Sequence, residues 1–333
     1  MQPALIIEPR IWDIPGILGS FVISNAGIIP VVPYSGRVSP GLSGAAATLP
    51  LIRPRRTPYL FRDRRRSGLA LTRPRRESDQ LDLSWMVVRE SDPAIEPPPR
   101  GFESYEAGVG AEMLEAICKR AGADGMVSVF ARIPDECPYK SVFEGYGFNA
   151  VVREHTYGRG GTGVATPALL PGLRQQERPD AWGIQQLYRA ITPVLVQRAE
   201  NLTSRTWDLP GRRRFAEFRR PRPDHRFVVD AANEIAGWLK VTPGADGPHR
   251  LRLMTPQDEP GMTQALLDFG LASLCRYSPR SVLTVVRDHD VSLLRMLEEN
   301  GFRPVYTRLL MVRHLGIRLF KPLPQAVAER AAN

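Results

Sequence analysis

The sequence predicts a mixed α/β protein in which one strand–helix–strand unit occurs twice. The clearer copy spans residues 282–314: a β-branched apolar run indicates a buried strand, and leucines at helical spacing indicate a short helix. That helix stops at Asn300-Gly301, because glycine readily adopts the left-handed conformation that ends many helices. Residues 126–157, about 150 positions earlier, repeat the order and stop at Gly147-Phe148. Self-similarity at one offset predicts two copies of one domain.

Length, composition and charge fit this prediction. A chain of 333 residues suggests two domains, and 43% apolar content is enough to bury a core in each half. No apolar run approaches the roughly 20 residues needed to span a bilayer, and the N-terminus lacks the pattern of a signal peptide. The three cysteines have neither disulfide nor metal-site spacing. We therefore expect a cytoplasmic protein without a metal site, and a net charge of +10 favours anionic partners.

Three antiparallel strands are predicted in the first half, over residues 59–62, 69–72 and 81–88, because apolar runs alternate with turn signals there. Many arginines surround the first two strands. They could contact the phosphates of a nucleic acid, or they could form the solvated face of a hairpin. The set comprises Arg53, Arg55, Arg56, Arg62, Arg64, Arg65, Arg66, Arg73, Arg75 and Arg76.

A helix with a short glycine motif at its start follows a proline-rich loop. Val109, Met113 and Ile117 form its apolar stripe, and Gly108-Val109-Gly110 stands where the helix begins. Glycines allow a ligand to approach the backbone, and the first amides of a helix suit a pyrophosphate. A flexible loop that merely joins the helix is the structural alternative, since such a motif is weak by itself.

The second half is predicted to contain two helices, three strands, a long helix and then the unit at 282–314. Asp180 is a plausible N-cap for the first helix, and glycines and prolines mark the preceding stretch as a linker. We therefore expect an N-terminal domain over residues 1–158, a linker over 159–178, a C-terminal domain over 179–320 and a tail over 321–333.

This order of elements, with DAANEIAGWLKV at residues 230–241 and LRMLEENGF at 294–302, resembles the GNAT superfamily of acyl-CoA-dependent N-acyltransferases. The resemblance covers most of the second half and residues 58–157 of the first. It implies two tandem GNAT-like domains, each with a mixed sheet whose fourth strand separates from the fifth. The V-shaped gap between them would hold the pantetheine arm of acetyl-CoA.

The resemblance also assigns the donor site. GVGAEML is similar to the family's pyrophosphate loop, whereas DEPGMT at 258–263 keeps only Gly261 and has Thr263 where a second glycine is expected. A side chain there would crowd a pyrophosphate, so the first copy is the better donor site. Its implied ligands are the strand edge and the helix amides: Met86, Val87, Val88, Gly108, Val109, Gly110 and Ala111.

The catalytic groups are less complete. Phe143 and Leu297 occupy the positions of the family's tyrosine acid, and neither can donate a proton. Asp82 and Glu90 are the carboxylates placed to act as general base. The competing interpretations are an outward-facing strand residue for Asp82 and a solvated strand end for Glu90.

Two functions follow. The first is transfer of an acetyl group to a primary amine of a small molecule or peptide. The second is a non-catalytic tandem that binds a cofactor, a protein or a nucleic acid.

Overall fold

The computed structural model describes residues 5–7, 28–32, 57–62, 66–75, 79–90, 108–163, 170–209, 224–231, 234–245 and 247–316. Side chains are described for most of these residues, but not for 5–7, 28–32, 57–58, 60–62, 66–67 and 89–90. Residues 33–56 lie outside the described residues. So do several arginines of the first-half set, namely Arg53, Arg55, Arg56, Arg64, Arg65 and Arg76. Within the described residues, no helix has the length and apolar character needed to cross a membrane.

The strands and helices predicted from β3 onward occur in the predicted order, but β2 and β8 lie in stretches that were predicted to have no regular structure. The strands are β1 (Leu5–Ile7), β2 (Ile28–Val32), β3 (Thr57–Arg62), β4 (Arg66–Pro74), β5 (Gln80–Glu90), β6 (Ser128–Pro134), β7 (Asn149–Arg159), β8 (Leu173–Gln175), β9 (His225–Ala231), β10 (Glu234–Thr242), β11 (His249–Met254), β12 (Val282–Arg287) and β13 (Arg303–His314). The helices are α1 (Val109–Ala123), α2 (Lys140–Gly145), α3 (Asp180–Ile191), α4 (Val194–Glu200), α5 (Pro260–Leu274) and α6 (Val291–Glu299), with a 3₁₀ turn at Ser204–Trp207.

The stretch predicted as a linker contains regular structure. Strand β8 lies inside it and pairs antiparallel with β9. Asp180 is the first helical residue of α3 rather than its N-cap, and Pro179 holds the cap position. The Asp180 carboxylate instead accepts hydrogen bonds from the amide of Glu177 and from Arg174, which anchors the stretch before α3.

All described strands belong to one sheet, and the two halves exchange their last strands. The order is β1-β3-β4-β5-β6-β13-β7-β12-β11-β10-β9-β8, with β2 added on β5. Strand β13 therefore lies between β6 and β7 of the first half, and β7 lies between β13 and β12 of the second. Each half is completed by the final strand of the other.

The central part of the exchanged strand β13 is buried on both faces. Residues 309–312 are each at most 4% exposed, as expected for a central strand covered on both sides. Leu309 and Met311 join the cluster beneath α1 and α2. Leu310 and Val312 point the other way, toward Phe130, Val152 of β7 and Val196 of α4. Strand β13 thereby connects the cores of both halves.

Truncation of Leu310 should test this connection. Leu310→Ala removes a fully buried side chain shared by β6, β7 and α4, so we expect the free energy of unfolding to fall by about 2–5 kcal/mol. Fluorescence of Trp85 in the first half and of Trp207 and Trp238 in the second can follow denaturant unfolding. Single-tryptophan versions should show both halves losing stability.

Val305→Ala on the same strand is the matched control, because Val305 is 56% exposed. It should change the stability by less than about 0.5 kcal/mol. A loss confined to the second-half reporters after Leu310→Ala would contradict the structural role assigned to the strand exchange.

Candidate functional site

The gap predicted between the fourth and fifth strands of the first half is present. Strands β5 and β6 pair in parallel only from Gln80 opposite Ser128 to Leu83 opposite Ala131, after which β5 continues without β6. A bulge marks the point of separation: Ser84 has no counterpart in β4, and its hydroxyl donates to the carbonyl of Leu71 at 3.0 Å. Such a bulge bends the strand away from its neighbour.

The second half contains the same separation. Strands β11 and β12 pair from His249 opposite Val282 to Leu251 opposite Thr284, and β11 then runs on to Met254. The two clefts therefore occupy equivalent places in the two copies.

The first turn of α1 lies beside β5, as predicted for the pyrophosphate loop. Gly108 is the extended N-cap, with φ −84° and ψ 164° and no side-chain cap, and the amide of Ala111 donates to its carbonyl at 3.0 Å. A Cβ placed on Gly110 would lie 3.8 Å from the Cε of Met86. The structure thus brings Met86 and Gly110 together. Val87, Val88, Val109 and Ala111 are buried beside them.

Gly110 also has a packing role. The same Cβ would lie 2.8 Å from the ring of Tyr139, which is closer than real Cβ contacts allow. Close packing of α1 on Tyr139 is therefore sufficient to require glycine at position 110, whether or not a ligand binds there.

Strand β2 covers the predicted donor edge of β5. One edge of β5 pairs with β4 along its whole length. On the other edge, beyond the part held by β6, Ile29 pairs opposite Val88 and Pro30 opposite Val87. A pantetheine arm could form backbone hydrogen bonds with this edge only after β2 leaves it.

The two predicted carboxylates lie apart. Asp82 is 4% exposed and accepts hydrogen bonds from Arg73 at 2.8 Å and from Arg132 at 3.2 Å. Glu90 is the last residue of β5, and its side chain is outside the described residues. Eight residues along a strand correspond to about 26 Å, so the two residues cannot act on the same proton.

The positions of the missing tyrosine acid are filled by core residues. Phe143 is fully buried and packs edge-on against Phe148 at a centroid distance of 5.1 Å. Leu297 is also fully buried.

A cavity of about 330 Å³ lies where β11 and β12 separate, and α3 and α4 cover it. Charged side chains from both halves line it, together with Tyr188, His289 and apolar groups of β11, β12 and α6. The charged residues are Arg75, Arg132, Glu154, Glu200, Arg252, Arg287 and Asp290.

Glu200 is the central carboxylate of this cavity. It receives two hydrogen bonds from Arg287, at 2.7 and 3.0 Å, and one from the hydroxyl of Tyr188 at 2.8 Å. Burial alone would raise its pKa, but attraction to Arg287 and these hydrogen bonds lower the pKa to about 2. Glu200 is therefore ionised at neutral pH and holds Arg287 in place.

A second ion pair extends the network into the first half. Arg132 donates to Glu154 at 2.7 Å as well as to Asp82. Although burial disfavours the charged guanidinium, Glu154 and Asp82 raise the pKa of Arg132. Arg287 approaches Glu154 at 3.7 Å, which joins the two pairs. The carboxylate predicted as a base is thus one end of a charge network that reaches α4.

His289 is the titratable ring of the cavity. Burial, together with the nearby charge of Arg287, lowers its pKa. It is therefore neutral at pH 7 and able to accept a proton.

Sequence reasoning did not identify these cavity residues, because they lie on separate strands and helices. One signal was available: Arg132 interrupts an otherwise apolar strand, and Arg287 ends another. From the arginine set that could contact phosphate or form a solvated hairpin face, only Arg73 and Arg75 have described side chains. Arg73 pairs with Asp82, and Arg75 stacks on Phe130 at 3.9 Å.

No protein-family model and no curated protein matches the sequence. Solved structures match the fold. A tandem GNAT protein from the clavulanic acid biosynthesis pathway is 12% identical, with a TM-score of 0.52 over 95% of this chain and 100% of that one. A GCN5-related N-acetyltransferase from Sphaerobacter thermophilus is 15% identical, with a TM-score of 0.51 over 96% and 98% of the two chains. The chain has the mixed α/β fold of tandem GNAT-like domains, as the sequence predicted.

Replacing Glu200 by a neutral residue should make the free energy of unfolding less dependent on pH in acid. Because its pKa is lower in the folded state than the ordinary value of 4.5, it stabilises the protein above pH 4.5, and this stability is lost as the pH falls toward about 2. Glu200→Gln leaves Arg287 buried without its carboxylate, so the free energy of unfolding at pH 7 should fall by about 3–5 kcal/mol. The variant should also lose stability less steeply in acid.

Glu299→Gln provides the control, since this carboxylate pairs with Arg295 on the surface. Exposed pairs contribute at most about 1 kcal/mol. Urea unfolding between pH 2 and pH 7 measures both variants, and an acid profile of Glu200→Gln parallel to the wild type would show that Glu200 is not the group responsible.

Proposed function

We propose that the protein transfers an acetyl group from acetyl-CoA to a primary amine. The observation that carries the proposal is the separation of β5 from β6 beside the glycine-containing first turn of α1. Once β2 has left it, a strand edge next to a helix N-terminus can bind an extended amide-containing arm and a diphosphate at once. The GNAT-like fold supports the same chemistry.

In this proposal the pantetheine arm pairs with Met86, Val87 and Val88, and the diphosphate binds the amides of residues 108–111. Strand β2 occupies that edge, so it must leave before acetyl-CoA binds. A short strand is suited to this exchange, because both partners offer the same backbone hydrogen bonds to β5.

The thioester would lie near the point where β5 and β6 separate. A neutral amine attacks the carbonyl carbon, the carbon–nitrogen bond forms, and the carbon–sulfur bond breaks to release the thiolate. Backbone amides at the bulge would polarise the carbonyl oxygen. Asp82 is next to Leu83, where strand pairing ends, and is the better-placed base, acting through water. Glu90 is at the opposite end of β5, near the diphosphate.

Acetyl-CoA should raise the thermal unfolding midpoint. A ligand at about 100 times its dissociation constant adds about 2.7 kcal/mol to the stability of the folded state. Gly108→Trp should abolish this shift by covering the first amides of α1, and its extended φ of −84° tolerates any residue. Gly110→Trp should have the same effect but would also clash with Tyr139.

Gly122→Trp is the control on the same helix, since no atom lies within 4 Å of a Cβ at that position. It should keep the full shift. Release of free CoA thiol with a panel of primary amines then separates the enzyme from a non-catalytic binding module. An equal acetyl-CoA shift in Gly108→Trp and the wild type would place the donor elsewhere.

Loosening β2 should increase the affinity for acetyl-CoA. Neighbouring amides of a strand face opposite edges, so Ile28→Pro with Ile29→Pro removes a donor toward β5 whichever residue supplies it. Loss of one or two backbone hydrogen bonds, each contributing about 0.5–1.5 kcal/mol, should lower the dissociation constant by about 3- to 100-fold. Titration calorimetry measures the change.

The matched control is the same double proline substitution at Ile6 and Ile7 of β1, which pairs with β3 and not with β5. Unchanged affinity after the substitutions in β2 would mean that this strand does not compete with the donor.

A further inference from the structure

In the described part of the chain, two of the four arginines in the second-half cavity have no hydrogen-bonded carboxylate. Arg132 and Arg287 are paired with Glu154 and Glu200. Among the described residues, the side chain of Arg252 has no hydrogen bond or ion pair. Its guanidinium instead lies 5.9 Å from the ring centres of both Trp207 and Trp238. Aromatic faces attract a cation but accept none of its in-plane N–H groups.

Arg75 is incompletely satisfied in the same cavity. Within the residues that the structure describes, its Nη1 is buried without a hydrogen-bond partner, and its Nη2 lies 3.9 Å from Glu200, beyond hydrogen-bond distance. The ring of Phe130 covers one face of the guanidinium. A buried donor that lacks a partner destabilises a protein, and in native structures such a donor usually contacts a water or an ion.

The charge balance indicates the sign of the ligand. The cavity contains four arginines but only three carboxylates, Glu154, Glu200 and Asp290. Asp290 is occupied in capping α6, where it accepts the amide of Leu293 at 3.2 Å. One negative charge would neutralise the cavity, and its oxygens could receive the free N–H groups of Arg252 and Arg75.

The remaining wall limits the shape of the ligand. Leu253 and Met254 of β11, Val286 of β12 and Leu293 of α6 present apolar groups to the cavity. Its volume of 330 Å³ equals that of about eleven water molecules in the liquid. We propose that this cavity binds a small monocarboxylic acid with a short apolar body, whose carboxylate is held by Arg252 and Arg75. This site does not depend on the proposed acetyl transfer.

The pKa directions of three of the arginines agree with this assignment. Burial lowers the pKa of Arg75, whereas carboxylates raise the pKa of Arg132 and of Arg287 despite burial. The contrast follows the geometry: Arg132 and Arg287 are hydrogen-bonded to carboxylates, whereas Arg75 has only the 3.9 Å contact with Glu200.

Butanoate and benzoate are suitable probes, with butanamide and benzamide as neutral analogues of the same shape. Titration calorimetry on the full chain should detect binding of at least one acid with a dissociation constant below about 10 mM. The amides should bind at least tenfold more weakly, because they cannot supply the negative charge that Arg252 lacks.

Arg252→Gln should weaken binding of the acid by about 10- to 100-fold, since a charge-assisted hydrogen bond is lost. Because Arg252 is exposed, the same variant should unfold at the wild-type temperature without acid and should gain less stability than the wild type with saturating acid. The unchanged midpoint without acid also shows that the variant is folded. Arg250→Gln, two residues earlier on the same strand and outside the cavity lining, should bind the acid as the wild type does.

Three results would overturn the proposal: no binding of either acid, equal binding of an acid and its amide, or unchanged affinity in Arg252→Gln. Inorganic phosphate is tested in parallel to distinguish a site for carboxylates from a site for phosphate. Tighter binding of phosphate than of both acids would overturn the assignment to a carboxylate.

Discussion

The structure depends on the exchange of the last strands between the two halves. Because β13 pairs with β6 and β7 pairs with β12, neither half has a complete sheet from its own residues. The alternate side chains of β13 supply the cores on both faces. The consequence is a continuous sheet whose central strand packs against core residues of both halves.

The same exchange positions the buried charges. Glu154 stands on β7, between Arg132 of the first half and Arg287 of the second. Removing these groups from water is costly, and only mutual pairing offsets the cost. Glu200 completes the arrangement from α4, where Gln80 also donates to its carbonyl. The helices of the second half are therefore held partly by charges that belong to the first half.

The two clefts have diverged in what fills them. In the first half, β2 pairs with the strand edge that would contact an acyl donor, and Gly110 packs closely on Tyr139. In the second half the strands separate around an open cavity rich in arginine. The first copy has the glycine turn beside its cleft, and the second has the larger space.

The sequence by itself determined the order of elements from β3 onward apart from β8, the repeated strand–helix–strand unit and the glycine turn at the start of α1, because these depend on local periodicity and on residues close in the chain. Only the tertiary structure decided that β7 and β13 change partners, that β2 covers the donor edge and that Arg75, Arg132 and Arg252 meet in one cavity. The physical reason is that strand pairing and burial of charge are set by residues distant in sequence. The sequence around an arginine in an apolar strand does not show whether its side chain faces water, a carboxylate or a cavity.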